Sequence, residues 1–150
     1  MRAVCRALDA TDYPQAHALY QTLATGETLP PFEAGKRGFS RIISHPDTWI
    51  IGACEDGKVL SMATLHLMPN LTNDMRPYAL VENVATLADF QGRGLGRTVM
   101  HAVAEKAWQE GAYKIMLLTN RSRGTAAFYT KLGYQMDEKQ GMILRQPAPF

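Results

Sequence analysis

Cysteine is scarce in this chain. The 150 residues contain two, Cys5 and Cys54, far apart and without a Cys-x-x-Cys pair. That removes the usual sequence frame of a structural zinc site. Both lie in apolar, strand-like runs and read as buried thiols in a reducing compartment. Neither has a sequence neighbour that would act as the base of a thiol nucleophile. The four histidines are scattered, with no matching carboxylate spacing, so no metal is expected. Charge of one sign is also lacking. A formal net charge of +2 with no run of Lys and Arg argues against nucleic acid as a partner. No window approaches the roughly 18 apolar residues of a membrane span. The first residues, Met1 to Asp12, hold no signal-peptide apolar stretch, and a cytoplasmic location is expected. Internal repeats and low-complexity segments are absent.

What is present suits an ordinary globular domain. Hydrophobic residues make up 46% and charged residues 20%, in a length that suggests one domain able to bury a real core. Residues 2–8 read as a strand. Asp12 to Ala24 carries Ala16, Leu19, Tyr20 and Leu23 at helical spacing, with Pro14 in the first turn and Gly26 beyond the end. A second helix runs from Phe32 to Ile43 and stops at His45-Pro46. Trp49 to Cys54 and Val59 to Met68 are strands joined by Glu55-Asp56-Gly57-Lys58, a hairpin signal. Tyr78 to Thr86 is a strand, and Gly94 to Glu110 a helix with an apolar face of Leu95, Val99, Ala102, Val103 and Ala107. Tyr113 to Thr119 reads as a strand buried on both faces. A helix over Thr125 to Leu132 follows, and Tyr134 to Asp137 with Met142 to Arg145 are expected to close the sheet as a hairpin.

Gly92, Gly94 and Gly96 alternate between a strand and a helix. Glycine lets the backbone turn tightly and approach a ligand without a Cβ in the way. Amides of such a loop, with the first free N–H groups of the helix, form an anion site. Arg93 and Arg97 would add positive charge, and a phosphate or pyrophosphate is the natural guest. A Walker loop requires Gly-Lys-Ser/Thr at its end, whereas the segment here ends Gly-Arg-Thr at the wrong spacing. A dinucleotide fold requires GxGxxG and an acidic residue about 20 positions on. Here the spacing is GxGxG, and the apolar run Ile115 to Leu118 stands at that distance.

Gln91-Gly92-Arg93-Gly94-Leu95-Gly96 resembles the Arg/Gln-x-x-Gly-x-Gly/Ala signature of the GCN5-related N-acetyltransferases, the GNAT superfamily. Val84 to Phe90 precedes it as that family's fourth strand and its exit do, with Ala88 where a proline is common. Ala126-Ala127-Phe128-Tyr129-Thr130-Lys131-Leu132-Gly133-Tyr134 is similar to the family's second segment, Phe-Tyr-x-Lys-x-Gly-Phe/Tyr. The resemblance implies one N-acetyltransferase domain over residues 1–150. Its fold would be α/β (α+β): a mixed, mostly antiparallel sheet of about six or seven strands with about four helices, splayed between strands four and five.

The resemblance also implies roles. Acetyl-coenzyme A would be the cosubstrate. A bulge on the fourth strand would expose amides of Val84 and Thr86, with Ala85 between them, to the pantetheine arm and the acetyl carbonyl. The pyrophosphate would rest on Gly92, Arg93, Gly94, Leu95, Gly96 and Arg97, with Gln91 before them. Asn120 and Ser122 compete for the position that contacts the arm, and Thr125 and Phe128 follow in the motif. Tyr129 would protonate the leaving thiolate. Glu82, a lone carboxylate in an apolar strand, would take the amine proton, bind the amine or form a structural ion pair. Strand alternation would put Leu80, Glu82 and Val84 on one face. His66 could reach the cleft but reads first as structural. The acceptor pocket would draw on Leu29, Phe32, Phe39, Arg76 and Tyr78.

Glu82-Asn83-Val84, Gly111-Ala112-Tyr113-Lys114-Ile115 and Phe128-Tyr129-Thr130-Lys131 are further similar to glucosamine-phosphate N-acetyltransferases, with Glu-Asn in place of their Glu-Asp. A small-molecule amine is therefore the expected acceptor. A peptide or protein amine, and a non-catalytic acyl-coenzyme A sensor, are the other readings. The family also implies a homodimer.

Overall fold

Asp56 and Gly57 both take positive φ, 49° and 75°. That is the signature of a tight hairpin turn matching the twist of its flanking strands. The strands it joins are β2 (Thr48–Glu55) and β3 (Lys58–Met68), paired from Glu55↔Lys58 to Thr48↔His66 with one register shift between Ala53 and Cys54. The computed structural model describes residues 3–24, 28–121 and 124–147. Its other elements are β1 (Val4–Ala7), a 3-10 turn (Ala10–Asp12), α1 (Tyr13–Leu23), α2 (Phe32–Ile43), β4 (Tyr78–Thr86), a second 3-10 turn (Ala88–Phe90), α3 (Leu95–Gln109), β5 (Ile115–Leu117) and α4 (Ala126–Lys131). The chain divides into two compact units, Met1–Leu117 and Leu118–Phe150.

The first unit is built on one open five-stranded sheet in the order β1-β2-β3-β4-β5. The pairings are antiparallel except β4–β5, which is parallel. A parallel pair needs a crossover, and α3 lies in that connection. On one face α1 and α2 bury Ala16, Leu19 and Phe39 against Ile50, Val59 and Met62, all at 2% exposure or less. Each of the larger side chains among them contributes roughly 1.5–3 kcal/mol by leaving water. The alternate strand residues Ile51, Ala63, Leu65 and Val81 are buried too. They belong to the other face, where α3 packs on β2, β3 and β4 and buries Val99, Val103 and Ala107.

The mixed α/β class and the four α-helices among the described residues agree with the sequence. The strand count among those residues is lower than expected. Residues 134–147 form neither strand of the expected closing hairpin. Met136, Met142, Ile143 and Leu144 are exposed. A two-stranded ribbon without a buried face is marginal on its own, and the intervening Asp137 to Gln140 is polar. β5 is also shorter than read, and half-buried rather than buried on both faces. It stands at the end of the described strand order, so only β4 flanks it. Gly26, expected to end α1, lies outside the described residues.

One ion pair ties the first strand to the first helix. Asp12 is 4% exposed. Its carboxylate accepts from Arg6 Nη1 at 2.7 Å, Arg6 Nη2 at 2.8 Å and the backbone N–H of Asp9 at 2.9 Å. Asp9 in turn accepts from the N–H of Thr11, which completes a reciprocal cap at the start of the helical segment. The Arg6 guanidinium holds the Asp12 carboxyl below the usual carboxylate range, against the opposing effect of burial. Cys5 and Cys54 are free and half-buried, and burial is the main effect that raises both thiols.

Asp12→Asn is expected to cost about 2 kcal/mol near neutral pH, as loss of charge-assisted hydrogen bonds does. A depressed carboxyl contributes stability above its unfolded pKa of roughly 3.9 and loses it as pH falls through the lower folded value. The difference between wild type and variant should therefore close in acid. Thermal unfolding of both proteins across that range checks it, and a gap independent of pH would refute the assignment.

Candidate functional site

On β3, Met62 pairs with Ala85 of β4 and Thr64 pairs with Glu82. Two steps on β3 are matched by three on β4, so β4 carries an extra residue between Glu82 and Ala85. Asn83 there has φ of 54°. Asparagine is among the few side chains that tolerate this left-handed region, so it can fill the position a glycine often holds in such a bulge. The bulge changes the expected face. Met62 and Thr64 share a side of β3, so their partners Ala85 and Glu82 share a side of β4. The alternation Leu80-Glu82-Val84 breaks because the extra residue shifts the pleat by one.

The opposite edge of β4 is open from the same point. Its parallel register with β5 holds only Ala79↔Ile115, Leu80↔Met116 and Val81↔Leu117. Residues 82–86 of β4 have no partner on β5, which is the splay expected between these strands. Ser61, fully buried, fixes the strand beyond the bulge. Its hydroxyl donates to the Ala85 carbonyl at 2.9 Å and lies 2.8 Å from Thr86 Oγ1. Ser61 has one proton, so Thr86 donates to it in return. Gln91 Nε2 donates to the Thr86 carbonyl at 3.4 Å.

The glycine turn comes next. Gly92 and Gly94 have φ of 76° and 80°, and an added Cβ at either would meet nothing within 4 Å. Backbone conformation, not crowding, requires glycine there, and the space above the turn is open. Gly94 is the N-cap of α3 and no side chain caps the helix. The intrahelical ladder begins with Thr98 N–H to Gly94 O at 3.0 Å. The amides of Leu95, Gly96 and Arg97 precede it and have no intrahelical acceptor. They stand at the positive end of a helix of 15 residues. Leu95 is 4% exposed, so its side chain serves the core and only its amide can serve a ligand.

The two arginines stand differently. Arg93 Nη2 lies 2.9 Å from Glu55 Oε2, with the guanidinium 5.2 Å from the Phe90 ring centre. Its charge is largely answered by Glu55, so it positions the turn more than it adds positive potential. Arg97 donates from Nε to His101 Nε2 at 3.3 Å and has no carboxylate partner among the described residues.

The second unit holds Asn120, Thr125, Phe128 and Tyr129. Thr125 is the N-cap of α4, its hydroxyl hydrogen-bonds that of Thr119, and its carbonyl accepts from the Phe128 N–H at 3.0 Å. The Tyr129 ring meets Phe128 edge-on at 5.0 Å and Tyr134 at 5.9 Å between centroids. Burial, with Tyr129 adding to it, pushes the Tyr134 phenol up to about 12. Tyr134 therefore stays protonated through the neutral range and packs as a neutral neighbour of Tyr129. Ser122 lies outside the described residues.

Other candidates separate cleanly. Glu82 is exposed, not the buried lone carboxylate its apolar surroundings suggest. Leu29 and Phe39 line an apolar cavity of about 190 Å³ between α1 and α2, and Phe32 packs on Tyr13 and His17 at its side. Arg76 does not join it. Its guanidinium donates to the carbonyls of Gly111 at 3.2 Å and Ala112 at 3.0 Å, closing the turn after α3. Tyr78 lies under Lys114. His66 lines a second cavity beside α2. No cluster of three or more His, Cys, Asp or Glu that could hold a metal occurs among the described residues. Asn83, Ser61 and Glu55 shape the site without standing out in the sequence as candidates. Only Asn83 leaves a signal there, as a turn-former inside a strand.

The family model described as Acetyltransferase (GNAT) family matches residues 15–134. The chain belongs to the GNAT acetyltransferases. A candidate acetyltransferase from Agrobacterium tumefaciens superposes with a TM-score of 0.88 at 38% identity, over 95% of this chain and 99% of that one. A glucosamine 6-phosphate N-acetyltransferase of Trypanosoma brucei brucei is 30% identical over 84 residues. The match spans 56% of this chain and 56% of that protein, so it speaks for part of each. Glucosamine-6-phosphate N-acetyltransferase from Arabidopsis thaliana shares the GNAT fold, with a TM-score of 0.80 at 21% identity, over 97% of this chain and 100% of that one.

The GNAT bulge gives a direct prediction. Asn83→Val places a β-branched side chain at positive φ and should cost about 1–2 kcal/mol, a fall of a few degrees in Tm for a chain of this size. Asn83→Gly should fold at close to wild-type Tm. Equal Tm values for Val and Gly would show that position 83 does not hold the left-handed conformation in solution.

Proposed function

We propose that this GNAT protein transfers the acetyl group of acetyl-coenzyme A to the primary amine of a small molecule, by direct attack in a ternary complex. The observation that carries this reading is the pairing of an open, bulged β4 edge with an uncapped helix behind a glycine turn. The first supplies amides to a thioester carbonyl and the second supplies amides to a pyrophosphate. Both lie on one continuous stretch, from Glu82 to Arg97.

In the proposed step, the neutral amine nitrogen attacks the thioester carbonyl carbon. The carbonyl oxygen becomes an oxyanion held by the amide of Val84, with the Thr86 amide on the pantetheine arm. The C–S bond breaks, and the thiolate takes the proton of the Tyr129 hydroxyl. The amine's surplus proton passes to Glu82, which its exposure leaves open to an incoming amine and to water. The products are an amide and a free thiol. Gly92 to Arg97 hold the pyrophosphate, and Asn120, Thr125 and Phe128 border the arm. Two cavities of about 190 and 530 Å³ beside α2 match a small acceptor in scale.

Acetyl transfer to amino sugars, polyamines, amino acids and peptides, read as free thiol, tests the reading. One small amine should turn over. Tyr129→Phe and Glu82→Gln should each lower kcat by about 100-fold, the scale of a general acid or base, with acetyl-coenzyme A affinity unchanged. Turnover of peptides alone would move the acceptor to a protein amine. Binding of acetyl-coenzyme A with no turnover of any amine would make the chain an acyl-coenzyme A sensor. Failure to bind acetyl-coenzyme A would end the proposal.

A further inference from the structure

The larger cavity, about 530 Å³, lies between α2 and the paired ends of β2 and β3. Its polar lining is Arg41, His45, Thr48 and His66. Thr48 is 6% exposed and links the two imidazoles, with Oγ1 3.1 Å from His66 Nδ1 and 3.4 Å from His45 Nδ1. The backbone fixes the proton on His45. The Asp47 N–H donates to His45 Nδ1 at 3.2 Å, so that nitrogen is an acceptor and the ring proton is on Nε2. His66 Nδ1 shares a hydrogen bond with the Thr48 hydroxyl in which either partner can donate. His45 keeps its Nε2–H as a donor.

Arg41 adds a fixed cation with no ion pair among the described residues. On its helix, Lys36, Arg37 and Arg41 stand against Glu33 alone. Asp47 is in the same turn but does not line the cavity. One effect opposes an anion here, the negative end of α2. It is blunted locally. The carbonyls of Ser40 and Ile42 accept from the N–H groups of Ser44 and His45, and the Arg41 carbonyl accepts from Ser44 Oγ. The polar lining therefore offers N–H donors and positive charge, and its hydroxyl is already committed.

The position is as informative as the chemistry. His66 pairs with Leu80 of β4, and Thr64 pairs with Glu82. The cavity edge is thus one same-face step from Glu82, and two further residues reach the bulge. At a rise of about 3.3 Å per residue, its rim stands roughly 7–13 Å from the place where the acetyl group would be delivered. We propose that this cavity binds an oxyanion carried by the acceptor, a phosphate monoester or a carboxylate that distance from the amine. The proposal rests on the acetyltransferase reading for the identity of the ligand, but the anion site can be tested without turnover.

The experiment is a titration of inorganic phosphate, and separately of acetate, into protein with ¹⁵N-labelled histidine rings. Saturating coenzyme A is present to fill the glycine-turn site. Saturable shifts of the His45 and His66 ring signals are expected, with the Nε2–H tautomer in His45. Arg41→Ala should weaken that binding by about tenfold or more, the scale of a charge-assisted hydrogen bond. With active enzyme, the same variant should lower the kcat/KM preference for an anionic amine over its neutral counterpart by a similar factor, without changing coenzyme A affinity. A response to phosphate alone identifies a phosphate monoester, and a response to acetate alone a carboxylate. Absence of shifts from either anion, or an undiminished response in Arg41→Ala, overturns the proposal. If coenzyme A itself does not bind, the acetyltransferase reading fails while the ring titration still decides the anion site.

Discussion

The candidate site depends on one extra residue in β4. Without it, the ladder with β3 would run straight from Met68↔Tyr78 to Ser61↔Ala85, and the bulge carries it to Ser61↔Thr86 instead. Strand alternation would then carry Glu82 and Ala85 to opposite faces. With it, Glu82 and Ala85 share a face, and Ala85 enters the core beside Leu19 and Met62. The bulge is thus anchored by packing on its far side and by Ser61, whose hydroxyl bonds the Ala85 carbonyl. A left-handed residue costs on the order of 1–2 kcal/mol for most side chains. Asparagine lowers that cost, and the buried Ala85 and Ser61 contacts hold the remainder in place. The irregularity is overdetermined by its surroundings, as strained backbone beside a site generally is.

The second constraint is the start of α3, and it works in the opposite sense. A helix of this length would ordinarily gain about 1 kcal/mol from a Ser, Thr or Asp cap. Gly94 forgoes that and leaves amides unpaired. Core packing compensates. Leu95, Val99, Met100 and Val103 are at 4% exposure or less, so α3 is held by its buried face and not by its end. Glu55 and Arg93 add a tether from the end of β2 to the turn. The same helix can therefore be stable and keep an open anion-binding terminus.

Much of this architecture is legible in the residues. The strand and helix order through α3, the hairpin at Asp56-Gly57 and the glycine turn each follow from local rules, since positive φ and apolar spacing leave marks in sequence. The Agrobacterium and family comparisons agree with that reading. The features that escape are set by register and by ion pairs between distant residues. Arg93 reads as a free cation until Glu55, 38 positions away, is found beside it. Glu82 reads as buried in its apolar run, yet it is exposed a few residues from the buried Ala85. The segment after Tyr134 reads as a hairpin because its residues have strand character. Its Met142 to Leu144 stretch is exposed and has no buried face to organise it.

β4 presents two surfaces that its geometry keeps apart. Its backbone edge, open past Val81, faces the side where β5 ends. Its side chains at Leu80, Glu82 and Ala85 face α1 and α2. The first can hold a thioester by amides alone, independent of side-chain identity. The second can select an acceptor by side chains alone. Beneath that second face the hydroxyls of Tyr20 and Thr64 lie side by side without reaching hydrogen-bond geometry, Thr64 at 2% exposure. Burial raises the Tyr20 phenol, and the Thr64 hydroxyl beside it acts the other way. This part of the face is therefore polar as well as buried. On the proposed reading, the side-chain face of β4 is therefore where specificity would be altered by substitution without disturbing the backbone that would hold the acetyl donor.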